Sequence, residues 1–573
     1  MPKKPFLFLL VFAIALVVFV FPIFAETINS SVTVGNSAPT FTSEPAESPA
    51  SDFNSPNNEG EDVTFVATAI DANNDDYYLL VCRNSANPTA NANAAPTCSG
   101  GVTAQVCVSS ATASNTEASC SISTTGISNQ IVDWFAYVCD YSSLSECSSF
   151  SDGTGASGSP FHVNHAPTFT VAPVRPGANP GGNLTFTVLA ANWGDTDSTV
   201  APDTGKLLVC ATAGITDGAC NGTELCSSAF TSAGSNLSCT FDDSANAVKA
   251  AAVYNAYVYV VDHHNFGASG AVQGTNVGYS INNVTPGVSE VMDINNDTNI
   301  TLTANSSINV NVKATVTDVN GCTDLDAARV AGNFYRTPTI TNSTCTANTA
   351  SCALLHTCTV DSSNTCTGPT DSSVTFNCVA SLNYYTDPTD GDVTSNPYHA
   401  DYWVAYVTAE DANGLIGAEE SARTPNLEVL SLNAMSISAS INYGSLAPNL
   451  ASNAGIISAP VSITNTGNVG LDMELRGNGA GLCTDYPTCA GAVIDLAQQR
   501  WEYLNNTTEY ISSTNILTNS YVDAPLNILK PNEIFTTRTG SIYWGIMIPS
   551  GQAAGTYTGT NTINAVVSDP SNW

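Results

Sequence analysis

Apolar residues recur with a period of two at three places along the chain, with polar residues strictly between them in the third. The apolar sets are Val63, Phe65, Ala67 and Ala69, then Leu184, Phe186, Val188 and Ala190, then Ile308, Val310, Val312, Ala314 and Val316. A period of two predicts a strand with one buried and one wet face. A second apolar run follows in the first two units, Leu79-Leu80-Val81-Cys82 and Leu207-Leu208-Val209-Cys210. Near the end of each unit comes a third strand: Phe135-Ala136-Tyr137-Val138-Cys139-Asp140, Asn255-Ala256-Tyr257-Val258, and Val404-Ala405-Tyr406-Val407.

Similar segments precede the units. Asn36-Ser37-Ala38-Pro39-Thr40-Phe41-Thr42 returns as Asn164-His165-Ala166-Pro167-Thr168-Phe169-Thr170, and more loosely as Asn282-Asn283-Val284-Thr285-Pro286. Proline cannot donate to a central ladder, so these read as linkers running into edge strands. The interval from Asn36 to Asn164 is that of a whole domain, far longer than a solenoid repeat. The pattern predicts domains over 26–163, 164–284 and 285–424, and a sandwich of another subtype over 425–573. In the last unit strands are expected at Ser436–Asn442, Ala459–Thr464, Leu471–Leu475, Ser541–Ile548 and Tyr557–Val567. Thr464-Asn465-Thr466-Gly467-Asn468 is a turn signal, and a short amphipathic helix is expected near Ile494–Tyr503.

Composition narrows the function. Only 11% of residues are charged, against roughly 25% in an ordinary domain. The net charge is −35, with Lys and Arg together numbering 14. No cluster of cations follows Lys4, so nucleic acid is excluded as a partner. An anionic lipid surface would repel the chain. Residues 1–25 carry a targeting pattern: Lys3 and Lys4, an apolar run from Phe6 to Phe21, and Ala25 as a cleavage position. Cleavage and an uncleaved anchor are both open, and the membrane is a partner only in the second case.

All 18 cysteines lie beyond that leader, in groups of six, four, six and two. Even groups point to disulfides inside domains in an oxidising compartment. Zinc would need tighter pairs. Alignment of the first two units leaves Cys139 and Cys147 without counterparts, which predicts Cys139–Cys147. Cys483–Cys489 is predicted by proximity. The four shared cysteines allow three pairings. The nested one is favoured: Cys82–Cys120 around Cys98–Cys107, mirrored by Cys210–Cys239 around Cys220–Cys226.

The Asn-x-Ala-Pro-Thr-Phe linkers, strands ending in Asp-x-Asn, and the run Trp403-Val-Ala-Tyr-Val-Thr-Ala-Glu-Asp411-Ala-Asn-Gly414 resemble prokaryotic cadherin-like and immunoglobulin-like surface repeats. The resemblance spans roughly residues 36–424. The Asn-Thr-Gly-Asn turn of the last unit is similar to that of other immunoglobulin-like modules. The fold class expected is all-β: tandem, disulfide-stapled sandwiches. Tyr137-x-Cys139 imitates an antibody strand F, but no cysteine lies on the Val63–Ala69 strand, so the usual inter-sheet bridge is not expected.

Acids recur in two loops that such a sandwich places at one end. They are Asp71 with Asp75, Asp195 with Asp197, and Asp318 after the alternating strand, and Asp140, Asp262 and Asp411 after the late strand. The resemblance implies calcium here, which takes six to eight oxygens. The linkers, however, offer Asn36 and Asn164 where an acid is expected, and Asp-x-Asn also makes plain turns. Asp293-x-Asn295-x-Asp297-x-Asn299 lacks the glycine and glutamate of a calcium loop.

No nucleophile elbow or zinc-protease motif accompanies His263 and His264, so no enzyme is expected. Asn-x-Ser/Thr sequons are numerous, which matters only in a host that glycosylates exported proteins. Trp134 and Trp403 read as core, and Trp193, in a loop beside Asp195, as a residue that stacks on a sugar. The expectation is an exported structural or adhesive surface protein. Its partners would be envelope components, other surface proteins or glycans. The alternative is a secreted carbohydrate-binding protein.

Overall fold

The computed structural model describes residues 29–573 apart from 198–203, 290–291, 348, 393–395, 423–426, 439, 505 and 534–537. The leader lies outside the described residues. Among the described residues the chain consists of strands and short 3-10 turns, without an α-helix. Four separate buried clusters form the cores. The residues divide into two compact units. One holds the first sandwich, the linker up to Pro167 and two loops of the second repeat, around Asp195 and at Asp262–Phe266; the other holds the remainder.

In the first sandwich the alternating strand is Asp62–Ile70, between Thr40–Ser48 and Glu117–Ser123. Facing it is a sheet of Phe135–Asp140, Tyr77–Cys82 and Gln105–Val108. Val63, Phe65, Ala67 and Ala69 point inward and meet Leu79, Val81, Ala136 and Val138. Trp134 closes the core edge-on to Phe65 at 5.1 Å. Burying each large apolar side chain contributes roughly 1.5–3 kcal/mol.

The second sandwich pairs Asn183–Val188 with Leu237–Asp242 and packs them on the sheet of Glu224–Ser227, Thr204–Cys210, Tyr257–Asp262 and Thr275–Asn276. Its alternating strand ends at Val188; Ala190 falls in a 3-10 turn instead. The third is a single eight-stranded sheet in which both layers come from one ladder. Val310, Val312 and Val316 of Ser307–Thr317 share a core with Phe334 and Trp403, whose rings stack at 5.1 Å. A register shift between His356 and Thr359 lies where the sheet changes layer, with Thr357 at φ 54°.

The wet faces explain the low charge. Hydroxyls pair across strands, Thr64 with Ser121 at 2.8 Å, Thr185 with Thr240 at 3.0 Å, Thr187 with Ser238 at 2.9 Å, and Thr315 with Thr375 at 2.8 Å. Such pairs stabilise a ladder without ions.

In the last sandwich Ala459–Asn465, Thr539–Ile546 and Leu471–Gly477 are strands as expected, while the first is only Met435–Ile437. The helix expected near Ile494–Tyr503 is absent. That stretch is a strand Val493–Asp495, a 3-10 turn and a strand Gln499–Glu502. Gln499 and Trp501 are buried and alternate with Arg500 and Glu502, a period of two that the ladder beside Trp544 enforces.

The nested disulfides are corrected. Cys82 bonds Cys98 and Cys107 bonds Cys120; Cys210 bonds Cys220 and Cys226 bonds Cys239. The reason is side-chain alternation. Leu79 and Val81 face the main core, so Leu80 and Cys82 face out, into a small outer cluster with Cys98. Cys107 and Cys120 both face the core, from opposite sheets. An inter-sheet bridge therefore exists on strands other than the one where it was sought. The second sandwich repeats this, with Cys210 and Cys220 outside and Cys226 and Cys239 inside. Cys139 joins Cys147 and Cys483 joins Cys489. The third sandwich holds Cys322–Cys366, Cys345–Cys352 and Cys358–Cys378. Non-reducing digestion followed by mass spectrometry should yield linked peptides carrying Cys82–Cys98 and Cys107–Cys120, and none carrying Cys82–Cys120.

Candidate functional site: the linker sockets

The aspartates that follow the late strands have one geometry. Each uses Oδ1 to hold its own turn: Asp140 accepts from Glu146 N at 3.0 Å, Asp262 from His264 N and Phe266 N at 2.8 Å, and Asp411 from Asn413 N at 2.8 Å and Leu415 N at 3.0 Å. Each offers Oδ2 to the preceding linker. Asn36 Nδ2 donates to Asp140, Asn164 Nδ2 to Asp262 at 2.9 Å, and Asn283 Nδ2 to Asp411 at 2.8 Å. All three aspartates are buried.

The next linker residue makes the second contact. Its backbone N–H donates to a side-chain oxygen of the loop after the alternating strand: Ser37 to Asn73 Oδ1 at 3.0 Å, His165 to Asp197 Oδ2 at 2.5 Å, and Val284 to Asn320 Oδ1 at 2.7 Å. Other aspartates shape those loops. Asp71 Oδ1 accepts from Asn73 N at 2.7 Å and Asp75 N at 3.2 Å, Asp195 Oδ1 from Asp197 N at 3.0 Å, and Asp318 Oδ1 from Asn320 N at 2.7 Å. The result is a two-point socket, repeated three times.

At Asp140, Asp262, Asp411 and Asp197 the carboxylate oxygens accept N–H groups of the turn or of the linker. Among the described residues no three or more His, Cys, Asp or Glu side chains stand close enough to hold a metal ion. Not every carboxylate of these loops is satisfied. Asp71 Oδ2 in the first repeat, and Asp318 Oδ2 and Asp324 Oδ1 in the third, are buried without hydrogen-bond partners. Burial, with the charges of Asp324 and Asp411, lifts the Asp318 carboxyl to about 6 against the pull of the Asn320 N–H.

The remaining sequence candidates resolve differently. Trp193 is 4% exposed, belongs to the second core and donates Nε1–H to Ser235 O at 2.8 Å. It has no free face for a sugar. His263 and His264 lie in the turn that Asp262 caps. Trp134 and Trp403 are core residues. Asp293 stands opposite Lys313 in a short strand pair.

Three features escaped sequence reasoning. His165 lies between two acceptors, Asp197 Oδ1 and Ile127 O, each 2.7 Å from a ring nitrogen. Only the imidazolium donates to both. Lys249 Nζ reaches Asp243 at 2.8 Å and the rings of Tyr254 and Tyr279 at 4.6 and 4.9 Å, while its backbone bonds Val319 O and Asn320 Nδ2. In the turn Asn465–Asn468, Asn468 Nδ2 donates to Thr386 O at 3.0 Å and Leu430 O at 3.1 Å. Beside it Lys530 Nζ meets Asp387 at 2.7 Å, and Arg336 bridges Asp387 and Asp401. Scarce cations next to linkers are the signal that was available.

No protein-family model matches the chain, and no curated protein matches it. Solved structures similar to it include the titin fragment I67-I69 at 9% identity, covering 68% of this chain and 97% of that one with a TM-score of 0.29. A bacterial ice-binding adhesin matches at 13% identity over 69% of this chain and 100% of its own, TM-score 0.19. The protocadherin GammaB4 extracellular domain matches at 11% identity over 88% and 72%, TM-score 0.22. At these scores nothing about function follows from them.

Two predictions rest on the sockets and the ion cluster. Burial pushes His165 down, but the Ile127 carbonyl and Asp197 carboxylate override it and hold the imidazolium above the usual histidine range. Its stabilisation is full below about pH 6.5, the unfolded value, and is lost as pH rises through the folded value. Imidazole proton shifts in NMR should place the titration of His165 above that of a histidine in an unfolded peptide. Lys530→Ala leaves Asp387 buried against Arg336 alone and should cost about 3–5 kcal/mol, read by chemical denaturation.

Proposed function

We propose that the chain is an exported surface protein that presents covalently stapled β-sandwich modules in series, as a structural or adhesive element. The observation that carries this is the sulfur. All 18 cysteines are joined, with no free thiol. Disulfides at this density form and persist in oxidising compartments. The three sockets support the reading, since each gives a linker a defined seat.

A carbohydrate-binding reading keeps one observation in its favour after the loss of Trp193. A cleft of about 740 Å³ in the last sandwich is lined by Tyr443, Tyr557, Leu482, Ile546, Ile548 and Gln552. Rings beside an amide suit a sugar.

The test is surface display. Antibody raised against the second sandwich should label intact cells of the native host, and external protease should remove the label. Intracellular protein with free thiols would overturn the proposal. Glycan-array binding abolished by Tyr557→Ala would favour the second reading instead.

A further inference from the structure

The sockets pose a question of charge. Each brings a linker into contact with buried carboxylates in a chain of net charge −35. Burying an ionised oxygen demands a positive partner, by a hydrogen-bond donor or a cation. At Asp140, Asp262 and Asp411 the linker supplies the donor itself, whereas Asp71 Oδ2, Asp318 Oδ2 and Asp324 Oδ1 in the neighbouring loops have none. Asn36 Nδ2 donates to Leu144 O at 3.1 Å as well as to Asp140. Asn164 Nδ2 donates to Asn58 Oδ1 at 2.8 Å as well as to Asp262, so both its hydrogens are used. Asn283 accepts from Asn413 Nδ2 at 3.1 Å while donating to Asp411. Asn164 is 1% exposed.

We propose that at Asp140, Asp262 and Asp411 the linker asparagines do the work of a metal ion, so that these three linker contacts form and stay closed without calcium. The side-chain amide is the one common uncharged group that gives two hydrogens to acceptors in fixed directions. Aspartate has the same shape and gives none when ionised. The distinction between amide and acid at 36, 164 and 283 therefore decides whether the socket closes on itself or is pushed open by two facing acceptors. The inference holds whether or not the chain is displayed on a surface.

Hydrogen exchange on the full chain tests this, because protection of linker amides reports local opening. The amides to follow are those of Ser37, His165 and Val284, which make the second contact. In the wild type their protection should be the same in EDTA and in millimolar calcium. Asn164→Asp should lose about tenfold at His165 in EDTA, the effect expected when a buried donor is replaced by a second acceptor. Asn283, only half-buried, gives a milder variant, and Asn283→Asp should lose protection at Val284 while core peptides keep theirs. Wild-type protection that falls in EDTA would overturn the proposal. So would Asn164→Asp or Asn283→Asp proteins whose linkers stay protected without calcium.

Discussion

One carboxylate per repeat ties the local turn to the linker. Asp140, Asp262 and Asp411 each split their two oxygens, one to backbone N–H groups of their own loop and one to an asparagine amide of the linker. A carboxylate this buried is stable only when its lone pairs are filled. The turn therefore cannot reach its shape, nor the linker its seat, without the other. Strand ends, loops and linkers are fixed together as a consequence.

The same logic explains the composition. A surface with few ions has to be satisfied by hydroxyls and amides, and the Thr–Thr and Thr–Ser pairs across the strands do this on the wet faces. Four of the positive groups are placed where burial is deep. Lys530 and Arg336 neutralise Asp387 and Asp401, Lys249 neutralises Asp243, and His165 neutralises Asp197. In a chain so acidic, a cation placed beside a linker offsets repulsion that would otherwise act on that linker.

The disulfides serve a different purpose in each layer. Cys107–Cys120 and Cys226–Cys239 cross between sheets inside the core. Cys82–Cys98 and Cys210–Cys220 tie polar loops to the outer face. Loops rich in Asn, Ser and Thr cannot bury enough apolar area to order themselves, and a cross-link restricts their unfolded states instead.

The alternating strands, their inward faces and the repeated linker and strand segments were set by the sequence alone, because a period of two is a local property. The disulfide pairing of Cys82 was not legible: Leu79-Leu80-Val81-Cys82 is apolar at every position, so only the fold shows that Leu79 and Val81 face the core and Cys82 the outer cluster. Tertiary structure decided the rest. Gln499–Glu502 became a strand because Trp544 lies beside it, not from any propensity of its own. Trp193 went inward against Gly205, where any Cβ would collide with its ring. The aspartates that looked like metal ligands turned out to face amide hydrogens, since what surrounds a side-chain oxygen depends on residues about a hundred positions away, such as Asn164 at Asp262.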